Sequence, residues 1–275
     1  MKEYDFYIVP TPIGNLGDIT QRAIDILNQV DIIACEDMRV TQNLLNYFQI
    51  GTKCISYHKF NEKERVAKIV ENLQSGKKMA LVSDAGTPLF CDPGSILIKA
   101  LKEHDFRITA LPGANAAVTF LSQIPRDTEE FVFTGFLPKS EKQILEILNK
   151  YKYTNLVFYE SPNRLLSTLR IIHKNSSDSI VSVGRELTKV FEEVITDNVN
   201  KIIEHFEKNP LKGEIVCMVH ASQLKENIEN YSGQIKSLKE KNFSAKDIST
   251  IISTLYNINK NEVYAYILET SDKTI

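Results

Sequence analysis

Short apolar runs alternate with amphipathic segments through the first part of the chain. The runs that predict buried strands are DFYIV (5–9), DIIAC (31–35), KCISY (53–57), KMALVS (78–83) and FRITAL (106–111). Between the first two, apolar residues recur at helical spacing, namely Ile19, Ala23, Ile26, Leu27 and Val30. A repeated order of strand and then helix is typical of an α/β domain, which we assign to residues 1–122.

The segment NEKERVAKIVENLQSG (61–76) predicts a single helix with clear ends. Its apolar face comprises Val66, Ile69, Val70 and Leu73. Asn61 and Glu64 have the spacing of a capping box at its start, and Gly76 is a typical stop.

A second group of strands follows Pro125. It comprises EFVFTGF (130–136), TNLVFYE (154–160), SIVSVG (179–184), VFEEVIT (190–196) and GEIVCMVH (213–220), with helices after Pro138, Pro162 and Asn198. This pattern predicts a second α/β domain at residues 123–224, with a partly antiparallel sheet. Residues 225–275 are polar and helical, and their SAKDISTIISTLYNINKNEVYAYIL run predicts two short helices around a turn in a small C-terminal module.

The composition permits packed cores in two ordinary domains, because 43% of the 275 residues are hydrophobic and 25% are charged. The chain opens without a signal-peptide core and has no apolar run of membrane-spanning length, so we expect a cytoplasmic protein without membrane contact. The net charge of -2 offers no general attraction to a polyanion, so RNA binding would need a local cluster of Lys and Arg. Four widely spaced cysteines favour buried, reduced thiols over a metal site or disulfides.

Three loops follow predicted strands and precede predicted helices, where α/β proteins bind ligands. The first, TPIGNLGD (11–18), has neither a G-x-G-x-x-G nor a Gly-Lys-Ser/Thr signature, so neither NAD nor ATP is indicated. In the second, SDAGTP (83–88), the carboxylate of Asp84 suits a ligand with hydroxyls, an ammonium or a sulfonium. After it, DPG (92–94) predicts a helix start with Asp92 as N-cap and Pro93 at the first helical position. With the third loop, LPGANAA (111–117), these loops predict one cleft.

Nine ordered motifs carry a resemblance to a known family: TPIGNLGDIT, CEDMR, HKFNEKER, LVSDAGTPLFCDPG, LPGANAA, FTGFLPK, FYESPNR, GRELTKVFEE and KGEIV. Over residues 6 to about 220 the chain resembles the ribosomal RNA small subunit methyltransferase I branch of the tetrapyrrole methylase-like family. The resemblance implies ribose 2'-O-methylation of a cytidine in the decoding region of 16S rRNA, with S-adenosylmethionine as cofactor. It also implies a cofactor cleft between two α/β domains, a homodimer and no metal.

The same resemblance implies functions for particular residues. The expected cofactor-binding residues are Val9, Pro10, Asp84, Thr87, Asn115, Ala116, Phe158, Tyr159, Leu187 and His220. Two adjacent carboxylates repel each other, so holding them together at a strand end, followed by an Arg, is costly unless they have a function. The predicted catalytic group is therefore Glu36, Asp37 and Arg39. The expected substrate-binding residues are His58, Asn61, Glu62, Arg65, Arg164, Arg185, Glu186 and Lys189. Taken alone, Glu62 with Arg65 is more often a structural ion pair, and His58 more often a satisfied histidine.

Two other functions stay open at this stage. A methylase of the same superfamily that acts on a tetrapyrrole would be expected to read G-x-G-x-G-D where this chain reads TPIGNLGD. A noncatalytic ribosome-binding protein would be expected to have degraded strand-end loops, and here they are intact. In the C-terminal module, Lys236, Lys239, Lys241 and Lys246 indicate either an RNA-docking surface or a solvated helical face.

Overall fold

The computed structural model describes residues 3–209, 212–222, 228–256 and 258–270. The chain divides into two compact units, Met1–Ala221 and Ser222–Ile275. The larger unit contains two five-stranded sheets, and the smaller one is helical. The predicted α/β class is confirmed, because every predicted strand run in the larger unit contains a strand.

The first sheet is entirely parallel. Its strands are β1 (Phe6–Ile8), β2 (Ile32–Cys35), β3 (Lys53–Ser56), β4 (Met79–Val82) and β5 (Ile108–Ala110), in the order β3-β2-β4-β1-β5. The connecting helices are α1 (Gln21–Gln29), α2 (Met38–Tyr47), α3 (Glu62–Gln74), α4 (Ser95–Glu103) and α5 (Ala116–Leu121). Strands β2 and β4 are buried at every residue, because apolar clusters cover both faces of the sheet.

Two helix starts differ from the sequence prediction. Asn61 is the N-cap residue of α3, but its side chain does not cap the helix, since its Oδ1 accepts from the His58 N–H at 2.8 Å. Helix α4 begins at Ser95 with Gly94 as N-cap, so the assignment of Asp92 as N-cap is wrong. The backbone takes positive φ angles at Leu89, Cys91 and Gly94, which delays the helical conformation beyond Pro93.

The second sheet is mixed, as predicted. Its strands are β6 (Phe131–Phe136), β7 (Asn155–Glu160), β8 (Ile180–Arg185), β9 (Glu193–Asn198) and β10 (Ile215–Val219), in the order β6-β7-β10-β8-β9. Only β6 and β7 pair in parallel. Three helices, α6 (Glu141–Lys150), α7 (Pro162–Asn175) and α8 (Val199–Lys208), bury one face of this sheet in an apolar cluster.

The other face of the second sheet packs against the first half of the unit. Phe120 on α5 is fully buried, and its ring lies over the backbone of Gly184 in β8. Around this contact, buried side chains from both halves form one apolar cluster, which comprises Ile13, Ala117, Phe120, Leu121, Ile124, Val157, Leu187, Val216 and Met218. The two sheets are therefore held together by a shared core.

The smaller unit has its own core. After a short 3-10 turn (Ile228–Tyr231), helices α9 (Ser232–Glu240), α10 (Ala245–Tyr256) and α11 (Lys260–Glu269) surround buried Ile235, Ile248, Ile252, Ile258, Val263 and Ile267. Helices α10 and α11 are the two predicted helices around a turn. The predicted module start at residue 225 lies outside the described residues. In the part of the chain that the structure describes, no helix is long and apolar enough to cross a membrane.

The contact between Phe120 and Gly184 predicts how a larger residue at position 184 changes the stability of the protein. A Cβ at position 184 would lie 2.6 Å from Cδ2 of Phe120, so Gly184→Ala overpacks the shared core and should cost about 1–3 kcal/mol of unfolding free energy. Gly51→Ala is the matched control, because no atom lies within 4 Å of the added Cβ. Thermal and urea denaturation of both variants measure the difference, and equal stabilities would contradict the packing argument.

Candidate active site

The loops at one edge of the first sheet are bonded to each other. Because the sheet is parallel, the carboxyl ends of its strands share this edge. The Thr11 and Gly86 backbones exchange two hydrogen bonds of 2.9 Å, and the Thr11 hydroxyl donates to the Ser83 carbonyl. The Thr87 hydroxyl donates to the Ala114 carbonyl at 2.9 Å. The three predicted loops thus form one continuous rim, as the sequence indicated.

A cavity of about 340 Å³ lies between this rim and the second sheet. This volume is within the range of small-molecule sites. Its first-half lining comprises Ile13, Ala85, Gly86, Thr87, Phe90, Cys91, Asp92, Asn115 and Ala116. Its second-half lining comprises Phe136, Tyr159, Glu160, Ser161, Pro162, Leu187, Gly213, Glu214, Ile215 and Val216. The lining is mostly apolar, and the described residues that form it include no Lys or Arg.

Aromatic rings form one wall of the cavity. Phe90 stacks on Phe133 with ring centroids 4.5 Å apart, and the ring of Tyr159 meets Phe133 edge-on at 5.0 Å. Phe136 approaches the same tyrosine at 5.6 Å. Burial raises the pKa of Tyr159 to about 12, so its hydroxyl stays protonated at neutral pH. The wall therefore offers aromatic rings to a ligand.

Half of the expected cofactor-binding residues line this cavity, namely Thr87, Asn115, Ala116, Tyr159 and Leu187. Val9 is fully buried in the core, and Pro10 packs against Gly113. Phe158 faces the opposite side of its strand from Tyr159 and lies in the core beneath the helices, because strand side chains alternate.

His220 also lies away from the cavity. Strand β10 enters the lining at Ile215 and Val216 and runs away from it, so His220 follows the far end of the strand. There its Nε2 is 2.7 Å from the Ser182 hydroxyl, and burial lowers its pKa. His220, which was expected to bind the cofactor, therefore does not line the cavity.

An open depression of about 550 Å³ adjoins the cavity, with Asp84 on its lining and the next residue, Ala85, on that of the cavity. The residues that line it are Glu36, Asp37, Met38, Arg39, Ser56, His58, Phe60 and Asp84. It brings the predicted catalytic group together with His58. Asp84, which was expected beside the cofactor, lies here instead.

Asp37 and Arg39 are engaged with each other. The Asp37 carboxylate caps α2 by accepting from the Arg39 N–H, and it also accepts two hydrogen bonds from the Arg39 guanidinium at 3.1 and 2.7 Å. These bonds lower the pKa of Asp37 to about 2. The Asp84 carboxylate in turn accepts from the Asp37 N–H at 3.0 Å. Asp37 is therefore poorly suited to accept a proton. In this respect it differs from its neighbour Glu36, whose pKa is raised.

Glu36 and Asp92 have the opposite electrostatic environment. Burial and then the charge of Asp84 raise the pKa of Glu36, and among the described residues its carboxylate makes no hydrogen bond or ion pair. Burial and the charge of Glu36 raise the pKa of Asp92 to about 6. Glu36 faces the depression and Asp92 faces the cavity, so these mutually repelling carboxylates connect the two sites.

Of the three expected substrate-binding residues near the depression, two have structural contacts. Asn61 holds the turn that begins at His58, and the Glu62 carboxylate accepts from the Tyr57 hydroxyl at 2.6 Å and the Gly94 N–H at 3.0 Å. Arg65 is outside the lining of both sites. No ion pair joins Glu62 to Arg65 among the ion pairs of the described residues.

The four expected substrate-binding residues of the second half lie beside the cavity rather than on its lining. Arg164 donates to the carbonyls of Leu137 and Pro138, at 3.1 and 2.8 Å. Arg185 pairs with Glu193, and Lys189 pairs with Glu186 and Glu214. The Lys189 stem also packs against Gly14 of the first loop. These charges stabilise the loops that surround the cavity.

Several lining residues were missed by the sequence analysis. Asp92 was assigned to a helix cap, and Cys91, expected to be a buried thiol, is exposed on the cavity. The alternating phenylalanines of EFVFTGF were a signal for an aromatic wall, but they fit a strand equally well. Ser56 and Phe60 join the depression only because β3 ends beside β2.

Comparisons with known proteins agree with this architecture. The family model of tetrapyrrole (corrin/porphyrin) methylases matches residues 5–203. The chain is 38% identical over 273 residues to ribosomal RNA small subunit methyltransferase I of Buchnera aphidicola subsp. Acyrthosiphon pisum, covering 96% of each chain. It is 40% identical to the protein of that name from Streptococcus pyogenes serotype M1, covering 94% of this chain and 92% of that one.

Solved structures show the same fold at low sequence identity. A cobalt precorrin-4 methyltransferase has a TM-score of 0.59 at 15% identity, over 78% of this chain and 93% of that one. Diphthine synthase has a TM-score of 0.62 at 12% identity, over 78% and 89%. These likenesses show the fold, an α/β architecture of two sheets with a cavity between them. The chain belongs to the tetrapyrrole methylase family, as the motifs predicted, and its cofactor is S-adenosylmethionine.

The cavity fits this cofactor chemically. Aromatic and aliphatic walls suit adenosine, and the Asp92 carboxylate suits a cationic sulfonium or ammonium group. Gly86 has a φ of +79°, and a Cβ there would lie 3.3 Å from Ile13, so the rim depends on glycine at this point. Among the described residues, no group of three or more His, Cys, Asp or Glu could hold a metal ion.

The raised pKa of Asp92 predicts that this residue makes the unfolding free energy depend on pH. In the unfolded chain this carboxyl ionises near 3.8, whereas in the folded protein it ionises near 6, so folding is penalised increasingly as pH rises through this window. Asp92→Asn removes the penalty. We expect it to raise the unfolding free energy at pH 7.5 on the order of 1 kcal/mol, allowing for screening of a half-buried group, with no gain at pH 4.

Thermal denaturation at the two pH values measures this effect. Asp25→Asn, at an exposed position on α1, is the matched control and should behave alike at both. A gain for Asp92→Asn that is equal at pH 4 and pH 7.5 would contradict the electrostatic cause.

Proposed function

We propose that this protein methylates the ribose 2'-hydroxyl of a cytidine in the decoding region of 16S rRNA. The observation that carries the proposal is that an open depression, lined by Glu36, Asp37 and Asp84, lies directly beside a more enclosed cavity. The more enclosed cavity suits a small cofactor, whereas the more open depression suits one nucleotide of a large substrate. The names of the curated relatives support the rRNA substrate.

In this proposal, Asp92 on the cavity and Glu36 on the depression have different chemical roles. Bound in the cavity, S-adenosylmethionine supplies an electrophilic methyl group on a sulfonium. Asp92 favours that positive charge on the cavity side. On the depression side, Glu36 accepts the proton of the ribose hydroxyl, because its carboxylate is not engaged by another group and its raised pKa makes it a better base.

Asp84 and the pair of Asp37 and Arg39 position Glu36. Asp84 accepts from the Asp37 N–H, so it connects the ends of β4 and β2 and fixes the backbone next to Glu36. The Asp37 carboxylate fixes the start of α2 immediately after it. Correct orientation of the attacking oxygen contributes a large part of the acceleration in a methyl transfer.

Glu36→Gln tests the assignment of the base. We expect the maximal rate of methyl transfer to fall about 100-fold or more, because general-base catalysis contributes on this scale, while affinity for S-adenosylmethionine changes little. The assay is transfer of labelled methyl groups to small ribosomal subunits from a strain that lacks the enzyme. Glu71→Gln, exposed on α3, is the control.

The product distinguishes this function from related ones. Mass spectrometry of digested rRNA should detect 2'-O-methylcytidine, and mapping by resistance to alkaline cleavage should place it in the decoding region. A methylated base in place of a methylated ribose would overturn the 2'-O assignment. An unchanged rate for Glu36→Gln would remove Glu36 as the base without affecting the substrate.

We also propose that the smaller unit contributes to RNA docking. Lys236, Lys241 and Lys246 are exposed, and among the described residues they make no ion pair. Lys239 differs, because its Nζ donates to the Ile267 carbonyl at 3.1 Å and therefore stabilises α11. An enzyme with a net charge of -2 needs such local cations for phosphate contacts.

Charge reversal at these three lysines tests the docking proposal. The combined Lys236→Glu, Lys241→Glu and Lys246→Glu variant should raise the RNA concentration needed for half-maximal methylation and reduce the salt slope of binding by about 3, one per lost phosphate contact. Binding of S-adenosylmethionine should not change. Reversal of Lys53, Lys77 and Lys150, which lie in the larger unit, provides a control of equal charge. An unchanged salt slope would exclude these lysines from the RNA interface.

A further inference from the structure

We propose that Phe60 is a stacking platform for an unpaired base of the substrate RNA, and that it positions the target ribose in the depression. The proposal rests on the function above and adds a specificity-determining residue to it. Phe60 is at the rim of the depression, and its side chain is 93% exposed, although most phenylalanines of this chain are at least partly buried. An exposed ring of this kind has no role in the core.

The turn that carries Phe60 is built to hold the ring outward. The Asn61 side chain accepts from the His58 N–H at 2.8 Å, and the Asn61 N–H donates to the His58 carbonyl at 3.0 Å. The Phe60 N–H donates to Nδ1 of His58 at 3.3 Å, and the two rings lie 6.1 Å apart. Since the polar groups of the turn bond to each other, the ring is left free for a ligand.

The charges around the ring match the parts of a nucleotide. Glu36 and Asp84 at the inner side of the depression can accept hydrogen bonds from ribose hydroxyls but would repel phosphate. Lys59 and Lys63, on either side of Phe60 in the chain, are exposed and make no ion pair with any described residue. The carboxylates can therefore bind ribose hydroxyls, the ring can stack on a base, and the two lysines can contact phosphates of adjacent nucleotides.

Kinetics with four variants test the proposal. Phe60→Ala should raise the concentration of small subunits needed for half-maximal methylation about tenfold, because loss of one stacked base has this size, with a smaller effect on the maximal rate. Phe60→Leu keeps an apolar side chain without a ring face and should resemble Phe60→Ala. Phe60→Trp should keep the half-saturating concentration of the wild type. Tyr153→Ala, exposed before β7, is the control.

A direct signal is available because the chain contains no tryptophan. In Phe60→Trp, a short oligocytidylate should quench the fluorescence of the introduced indole, and the same oligonucleotide should not quench the indole of Tyr153→Trp. Calorimetry should give equal affinities of S-adenosylmethionine for all variants, and sedimentation velocity should give equal oligomeric states.

The outcomes separate the two proposals. If the wild-type enzyme transfers no methyl group to small subunits, the proposed function fails and the stacking proposal fails with it. If the wild type is active and Phe60→Ala has the same half-saturating concentration, or Phe60→Leu restores it as well as Phe60→Trp, only stacking is overturned. A changed oligomeric state of Phe60→Ala would assign the ring to contact with a second copy of the chain instead.

Discussion

The apolar cluster between the two sheets is the interaction on which the site depends. The cavity does not belong to one sheet alone, because Thr87 and Asn115 come from the first half and Tyr159 and Leu187 from the second. Within the cluster, the ring of Phe120 packs closely against Gly184. Since side chains in such a cluster are close-packed, a small change there shifts one wall of the cavity against the other.

The distribution of carboxylates is the second constraint. Asp37 is fully occupied by a helix N-terminus and Arg39, whereas Glu36 and Asp92 are placed near other negative charges. Such repulsion costs stability in the absence of a ligand, and a bound cation or a polar hydroxyl relieves it. The same feature explains why one carboxylate of the CEDMR motif suits proton transfer while its neighbour serves the fold.

Many of the charged residues in the family motifs stabilise loops rather than face the cavity. Arg164, Arg185 and Lys189 each bond to a neighbouring backbone or carboxylate. Their contacts hold the segments that carry Leu187 and Glu214 on the lining. In the proposed function, the cations that contact RNA are therefore Lys59, Lys63 and those of the smaller unit.

The sequence by itself determined the strands, the class of fold and the family. Apolar runs and Gly-Pro turns are local features, and they do not depend on how distant segments meet. The loops TPIGNLGD, SDAGTP and LPGANAA could therefore be assigned correctly to one sheet edge. The motifs also identified the cofactor, because the ordered set as a whole is specific even where single residues are not.

Only the tertiary structure decided which side chains meet. Asp84 and Asp92 are eight positions apart in one loop, yet the positive φ angles between them turn one toward the depression and the other toward the cavity. Phe158 and Tyr159 are adjacent, yet the pleat places the first in the core and the second in the site. His220 lies at the far end of β10 because that strand is antiparallel to β7. Sequence patterns report burial and local conformation, whereas these placements follow from strand direction and loop path.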